Sequence, residues 1–185
     1  SENIQELIID EVDRLNGILT DYLMFARNES TRVSETDLAA LVNRTVRLVS
    51  DPVEAGDITF EMRFGVETAP FVCEEKKLQQ VILNILLNAI QALDGRGTLY
   101  ISLSRKKNEY ILEFIDTGPG IPEKDLERVF EPFYTTRATG SGLGLAIARR
   151  VIEDHGGTIT LATGDSGGTA VTVKLPAGPK RIGSD

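Results

Sequence analysis

Four side-chain amides recur along a segment of the chain whose other residues are almost all apolar. Drawn as a helix at about 100° per residue, residues 78–93 place Gln80, Asn84, Asn88 and Gln91 on one narrow stripe of a helix buried nearly all round. Asn is a poor helix former, and an unpaired buried amide costs about 1 to 3 kcal/mol. The stripe therefore indicates a polar ligand or an internal partner, and a stripe facing solvent explains this feature alone equally well.

Asn84 and Asn88 stand one helical turn apart within this stripe. Their side-chain carbonyl oxygens could therefore face one Mg²⁺ ion that phosphate groups also hold. Magnesium prefers a few oxygen ligands and keeps several of its waters, so amide oxygens beside a polyphosphate fit its chemistry.

A second candidate is the run 116–122, directly after a β-rich stretch. The carboxylate of Asp116 can accept a hydrogen bond from an exocyclic amine such as that of adenine. Gly118 and Gly120 let a flat ring approach the backbone, and Ile121 follows them in the same run. A tight Gly-Pro turn closed by an Asp cap explains this element alone equally well.

After this run the chain continues to Gly140 with only a short helical pattern near 124–129. A connection of that length within a compact domain is usually a functional lid. Its aromatic side chains could latch it to the body, and the polar residues after them could donate to phosphate. The aromatic residues are Phe130, Phe133 and Tyr134, and the polar ones are Thr135, Thr136 and Arg137.

The predicted lid ends in a glycine-rich turn that opens another helix. Gly140, Gly142 and Gly144 alternate there with Ser141, Leu143 and Leu145. Consecutive backbone N–H groups at a helix N-terminus bind phosphate without any net positive charge. Such glycines alone are weak evidence, because an ordinary turn before a helix looks the same. The four features in this order and at workable spacing nevertheless favour one nucleotide site.

The composition limits the partners of this chain. Among its 185 residues, 28 acidic side chains against 20 basic ones give a net charge of −8. An acidic surface repels nucleic acid and anionic membranes, so neither is a predicted partner, and no apolar run is long enough to span a bilayer. The single cysteine, Cys73, precludes an intrachain disulfide. It is expected to pack in the core of a protein from a reducing, cytoplasmic compartment.

Apolar periodicity predicts the elements that hold these residues. Residues 3–27 carry the wide stripe of a bundle helix, expected to pair outside this chain or with a second protomer rather than to fold back on its own domain. Asp37 is the predicted N-cap of a helix to about Ser50. Further helices are predicted over 77–93 and 143–155, and strands over 58–64, 99–103, 110–115, 158–163 and 169–175.

This order of elements predicts an α+β fold. We expect a two-layer α/β sandwich with a mixed or largely antiparallel sheet that is covered on one face. The one histidine, His155, is expected to cap or pack at a helix end.

In these motifs the chain resembles the GHKL ATPase superfamily, which has the Bergerat ATP-binding fold. Within it the chain resembles the sensor histidine kinases of two-component systems, most of all the nitrogen-regulation type. Asn84 and Asn88 match the family's N box, in which the second Asn is the Mg²⁺ ligand and the first lies beside the phosphates. The other matches are Asp116, Gly118 and Gly120 to the adenine box, 130–136 to the F box, 140–144 to the second glycine box, and Thr169 to the Thr that completes the adenine pocket. Many relatives have a cation where Gln91 stands, which leaves Arg137 as the expected phosphate cation.

The resemblance implies an ATP-binding catalytic domain over 31–178. It would follow part of a dimerisation and phosphotransfer helix over 1–30 and precede a tail over 179–185. The implied reaction transfers the γ-phosphate of Mg-ATP, with Asn84 and Asn88 as catalytic residues, to a histidine on the bundle that this sequence lacks. A response regulator would then receive the phosphate, and the full-length protein would be a homodimer that binds ATP and ADP.

Two other functions stay open. GHKL relatives that hydrolyse ATP carry a Glu general base at the position of Asn84, and an amide cannot accept that proton. A nucleotide-binding regulatory module without turnover, or an anti-sigma serine kinase, is the second alternative. The amphipathic pattern over 3–27 argues against the serine kinase.

Overall fold

The computed structural model describes residues 32–53, 57–136, 141–164 and 167–178. The predicted bundle helix, Arg137, Gly140 and the tail lie outside these ranges, and so does residue 31, at which the predicted catalytic domain begins. None of the helices in the described ranges combines the length and the hydropathy needed to cross a membrane.

Three helices and two sheets make up this part of the chain. In chain order the elements are β1 (Ser34–Asp37), α1 (Leu38–Val53), β2 (Asp57–Phe64), β3 (Pro70–Cys73), α2 (Glu75–Leu93), β4 (Arg96–Lys106), β5 (Glu109–Asp116), the 3-10 turns Glu123–Asp125 and Arg128–Phe130, α3 (Gly144–Asp154), β6 (Thr158–Thr163) and β7 (Thr169–Pro176). Each helix and strand predicted within the described ranges is present. The short helical pattern near 124–129 forms the two 3-10 turns.

The main sheet has the order β2-β4-β5-β7-β6, with β2 parallel to β4 and every other pair antiparallel. Alternate residues of the central strands face the helices, such as the buried Leu99, Ile101 and Phe114. Tyr100 and Ile115, which are paired across β4 and β5, lie on the opposite, exposed face. The sheet is therefore mixed and covered on one side, as predicted.

The sequence patterns miss the small antiparallel sheet of β1 and β3. The strand β1 begins at Ser34, in a polar stretch of the sequence. The β1 sequence Ser-Glu-Thr-Asp shows no apolar alternation, and β3 is only four residues long and starts with a proline. Neither strand carries the period-2 signal on which strand prediction depends.

Asp37 is the N-cap of α1, as predicted. Its Oδ1 accepts hydrogen bonds from the backbone N–H groups of Ala39 at 3.0 Å and Ala69 at 2.8 Å. The same carboxylate therefore satisfies the first turn of the helix and fixes the chain that leads into β3.

His155 and Cys73 both lie in the interior. The His155 ring is 4% exposed, its Nδ1 lies 2.7 Å from the Val151 carbonyl oxygen, and its Nε2 accepts from the Glu74 N–H at 3.0 Å. The histidine thus caps the end of α3 and ties it to the start of α2, which agrees with the predicted packing role. Burial raises the pKa of the Cys73 thiol, which favours an unreactive core residue.

Candidate functional site

A cleft of about 750 Å³ opens between α2, the end of β5 and the segment that leads into α3. This volume lies within the usual range for small-molecule sites. The predicted site residues that line it are Asn84, Asn88, Asp116, Gly120, Ile121, Thr135, Thr136, Ser141, Gly142, Gly144, Leu145 and Thr169. One cavity thus brings together residues that are far apart in the sequence.

Three predicted site residues do not line the cleft. Phe130 and Leu143 are buried in the core, and the Gly118 N–H donates to the Asp116 carboxylate at 2.8 Å. Arg137 and Gly140 lie outside the described ranges, so their roles remain predictions.

Apolar residues of the cleft carry no signal that could have distinguished them from core residues. Phe114, Val129, Leu161 and Val171 line it together with prolines 119 and 122. Leu161 and Val171 occupy inward positions of paired strands, where sequence periodicity predicts core packing. An apolar wall can thus be recognised only after the strands have been placed.

The amide stripe of α2 faces the cleft along its whole length, because Gln80, Asn84, Asn88 and Gln91 all line it. Leu87 also lines it and is 42% exposed. The expectation that α2 is buried nearly all round is therefore wrong on this side. The other faces of the helix pack against the sheet, α1 and α3.

Asn84 is held by hydrogen bonds at both ends of its side-chain amide. Its Oδ1 accepts from Gln80 Nε2 at 3.1 Å, and its Nδ2 donates to the carbonyl oxygen of Gly144 at 3.3 Å. The structure does not support the expected pair of amide oxygens facing one cation, because the Asn84 oxygen is turned towards Gln80. Asn88, one turn further along α2, is the stripe's candidate oxygen ligand for Mg²⁺.

Asp116 ends the central strand β5 and is only 5% exposed. Its Oδ1 accepts from the N–H groups of Gly118 at 2.8 Å and Thr169 at 3.2 Å. Two donors on one oxygen fix the carboxylate and leave Oδ2 as the atom that a ligand in the cleft would meet. A Cβ on Gly168 would lie 1.7 Å from the Asp116 carbonyl oxygen, so this close approach requires glycine.

The aromatic residues of the predicted lid are held unequally. The guanidinium of Arg149 lies 4.7 Å from the ring centroid of the buried Phe130. Tyr134 donates from its hydroxyl to Asp125 Oδ1 at 2.7 Å, and this hydrogen bond raises the pKa of Tyr134. Phe133 is 64% exposed and has a φ of 67°. Latching by Phe130 agrees with the prediction. The Tyr134 hydrogen bond lies within the predicted lid and Phe133 is exposed, so these two contacts do not show the predicted latch.

The glycine-rich turn returns the chain to α3 through close backbone contacts. Phe133 N–H donates to the Gly142 carbonyl oxygen at 2.9 Å, and a Cβ on Gly142, whose φ is +69°, would lie 2.5 Å from the Phe133 carbonyl carbon. Ser141 Oγ accepts from the Leu143 N–H at 3.2 Å. The first turn of α3, at Gly144 and Leu145, adjoins the cleft. Its N–H groups have no intrahelical acceptors, and the helix dipole adds to their attraction for an anion.

Comparison with known proteins shows to which family this chain belongs. The family described as "Histidine kinase-, DNA gyrase B-, and HSP90-like ATPase" matches residues 73–179, which is more than half of the chain. This chain belongs to that family. The matched residues include every residue that lines the cleft, so the cleft lies within this ATPase-family domain.

Sensor histidine kinases are among the proteins that this chain resembles. Sensor histidine kinase ZraS of Escherichia coli (strain K12) is 33% identical over 178 residues, which are 95% of this chain and 38% of ZraS. The chain therefore spans about two fifths of the length of such a relative. The catalytic domain of histidine kinase ThkA is 29% identical with a TM-score of 0.75, covering 80% of this chain and 97% of that one. ThkA in complex with the response regulator TrrA is 27% identical with a TM-score of 0.82, covering 95% and 51%. The predicted family and fold are confirmed.

Proposed function

We propose that this cleft binds ATP with Mg²⁺ and presents the γ-phosphate to a histidine on a helical bundle, as in a sensor histidine kinase. The observation that carries the proposal is the shared cleft. A fixed carboxylate, a stripe of amides and a helix N-terminus border the same cavity in this ATPase-family domain. The carboxylate suits an exocyclic amine, and the helix N-terminus suits a polyphosphate.

The adenine end of the proposed site is Asp116. Its Oδ2 would accept from the exocyclic amine, while Thr169 and the Gly118 N–H hold the carboxylate in place. Leu161 and Val171 offer an apolar wall to the flat ring. Because these groups are already hydrogen-bonded or packed, binding would require little reordering at this end.

The phosphate end comprises the first turn of α3, Ser141, the two threonines Thr135 and Thr136, and the amides of α2. Backbone and hydroxyl donors of this kind bind phosphate oxygens in spite of the acidic net charge. Asn88 would hold the Mg²⁺, which neutralises the charge that develops on the phosphates during transfer. Arg137 is proposed as the phosphate cation, and Gly140 as part of the turn.

The acceptor must lie elsewhere, because the single histidine of the chain is unsuited to the role. His155 is 4% exposed, and both of its ring nitrogens contact backbone groups. Asn84 offers no general base that would activate water. Catalysis would therefore consist of positioning the nucleotide against an incoming histidine and neutralising its charge.

The proposal includes the rest of the pathway. Residues 1–30 would belong to the dimerisation and phosphotransfer bundle, 31–178 to the catalytic domain and 179–185 to a tail. The full-length protein would be a cytoplasmic or membrane-anchored homodimer that passes phosphate to a response regulator. The complex of the similar ThkA with TrrA supports that partner.

The test compares this chain with a longer version that carries the upstream part of the bundle. With labelled ATP and Mg²⁺, the longer version should acquire acid-labile, base-stable label, as phosphohistidine is, and this chain alone should acquire none. Nucleotide at about a hundred times its Kd should stabilise this chain by about 2.7 kcal/mol. Stable label on this chain, brisk phosphate release, or an unchanged melting temperature in Mg-ATP would contradict the proposal.

A further inference from the structure

Gln80 is a cleft residue to which the proposed chemistry gives no role of its own. It lies on α2 one turn before Asn84, is half-buried, and lines the cavity. Its Nε2 donates to Asn84 Oδ1 at 3.1 Å. Gln79, its neighbour in the same turn, is also half-buried but does not line the cleft.

The two contacts of Asn84 determine which way its amide is turned. A backbone carbonyl such as that of Gly144 only accepts hydrogen bonds, so the amide nitrogen of Asn84 must face it. The amide oxygen then lies on the other branch and faces Gln80 Nε2, a donor. Without that donor, the oxygen would lose its partner and the amide would lose one of the two contacts that select this orientation.

The orientation sets what Asn84 offers to a ligand. An amide nitrogen carries two hydrogens, and Gly144 takes one of them, so the second can be donated to an anion in the cleft. The reversed amide would offer an oxygen, which repels phosphate. Gln80 and the Gly144 carbonyl together thus determine whether Asn84 attracts or repels an anionic group.

The position of Asn84 along α2 indicates which part of a nucleotide it would meet. A Cβ on Gly118 would lie 3.0 Å from the Ala92 carbonyl oxygen, so the proposed adenine end adjoins the C-terminal turn of α2. At 1.5 Å per residue, Asn84 lies about 12 Å from Ala92 along the helix axis. Asn84 therefore borders the far, phosphate end of the cleft, and its Nδ2 also bonds to Gly144 at the start of α3.

We propose that Gln80 is a positioning residue that holds Asn84 as a donor and thereby lets the cleft distinguish a nucleoside triphosphate from a diphosphate. This inference rests on the proposed function, since it requires that a nucleotide binds in the cleft. Gln80 itself need not touch the nucleotide. Because its effect passes through Asn84, the proposal can be tested by measuring the energetic coupling between Gln80 and Asn84.

The experiment measures calorimetric affinities for Mg-ADP and for the non-hydrolysable Mg-AMPPNP. Gln80→Met keeps the length of the side chain and its helix propensity but removes the donor. The preference for AMPPNP over ADP should fall about tenfold, because a hydrogen bond to a charged group contributes about 1.5 kcal/mol or more. Gln79→Met, the matched control, should leave the preference unchanged.

A double-mutant cycle shows whether the effect passes through Asn84. In an Asn84→Ala background, Gln80→Met should have no further effect on the preference. The side-chain N–H signals of Asn84 in amide NMR supply a readout that needs no ligand, and they should shift in Gln80→Met but not in Gln79→Met. Equal weakening of both nucleotides, persistence of the effect without Asn84, or unmoved Asn84 signals would each overturn the inference. Failure of the wild-type chain to bind either nucleotide would instead overturn the proposed function.

Discussion

The two ends of the cleft are built from different groups. At the end of β5 it is bordered by backbone and by the Asp116 carboxylate, which two N–H groups hold. Beside α2 it is bordered by amide side chains and by the segment before α3. Asp116 is almost fully buried and lies on the central strand of the sheet. At the other end, Leu87 and Phe133 are exposed, and the chain between β5 and α3 contains only two short 3-10 turns within the described ranges.

In the proposed function, this contrast separates the end that would recognise the base from the end that would bind the phosphates. The proposed adenine end is preformed, because its shape depends on strand pairing and on backbone contacts that leave no room for a side chain. The phosphate end depends on side-chain orientation and on a segment with little regular structure, features that allow movement when ligands exchange. Substitutions at the two ends should therefore affect different properties, namely stability and base recognition at one end and the response to phosphate and Mg²⁺ at the other.

Gly168→Ala should have the largest effect, since the new Cβ would lie 1.7 Å from the Asp116 carbonyl oxygen. We expect a loss of stability of about 3 kcal/mol or more, at the upper end of the range for single substitutions, together with loss of nucleotide binding. Chemical denaturation measures it. Gly164→Ala is the matched control from the same hairpin, because its Cβ would have no contact closer than 3.4 Å. Equal stability of the two variants would show that the adenine end is not rigid.

Asp116→Asn tests recognition of the adenine amine without breaking the hydrogen bonds that hold this side chain. The amide oxygen can still accept from the N–H groups of Gly118 and Thr169, so the melting temperature without ligand should change little. The NH₂ group that replaces Oδ2 would face the adenine amine as a second donor. ADP affinity should fall by about 1.5 to 3 kcal/mol, roughly 10- to 100-fold, when measured by calorimetry. Wild-type ADP affinity in this variant would show that adenine does not bind at Asp116.

Asn88→Ala should act on the metal at the phosphate end and spare the base. We expect the dependence of ATP affinity on Mg²⁺ to fall about tenfold, or about 1.4 kcal/mol, with little change in adenosine binding. Asn84→Ala is the control, because the Asn84 oxygen is turned towards Gln80. That variant should retain the Mg²⁺ dependence in calorimetric titrations. A normal response to Mg²⁺ in Asn88→Ala would place the ligand elsewhere.

Tyr134→Phe should have the smallest effect, a change in nucleotide affinity of less than about twofold. Tyr134 lines the cleft, but its hydroxyl bonds to Asp125, which does not. The hydrogen bond to Asp125 raises the pKa of Tyr134. Its stabilising effect is therefore present at low and neutral pH and is lost as pH rises through the raised pKa of the folded protein. A tyrosinate absorbance titration should show a component above the ordinary tyrosine pKa that the variant lacks. An unchanged titration would mean that the hydroxyl does not hold this segment.

The sequence predicted the polar half of the cleft better than its apolar half. Asn84, Asn88 and Asp116 are residue types that are costly to bury without partners, so their position on apolar elements was informative. Leu161 and Val171 carried no such signal, because a wall residue and a core residue satisfy the same periodicity. The direction of the Asn84 amide could not be predicted either, since it depends on Gly144, sixty positions later in the chain.

The pairing of β5 with β7 has a consequence for how the protein acquires its site. These neighbours in the sheet are separated in the chain by the predicted lid, α3 and β6. Contacts between segments so distant in sequence form late, because the entropy of closing the intervening loop must be overcome first. The bond from Thr169 to Asp116 can form only after that closure. A nascent or partly folded chain would thus lack the proposed adenine end altogether, and nucleotide should slow unfolding without speeding folding.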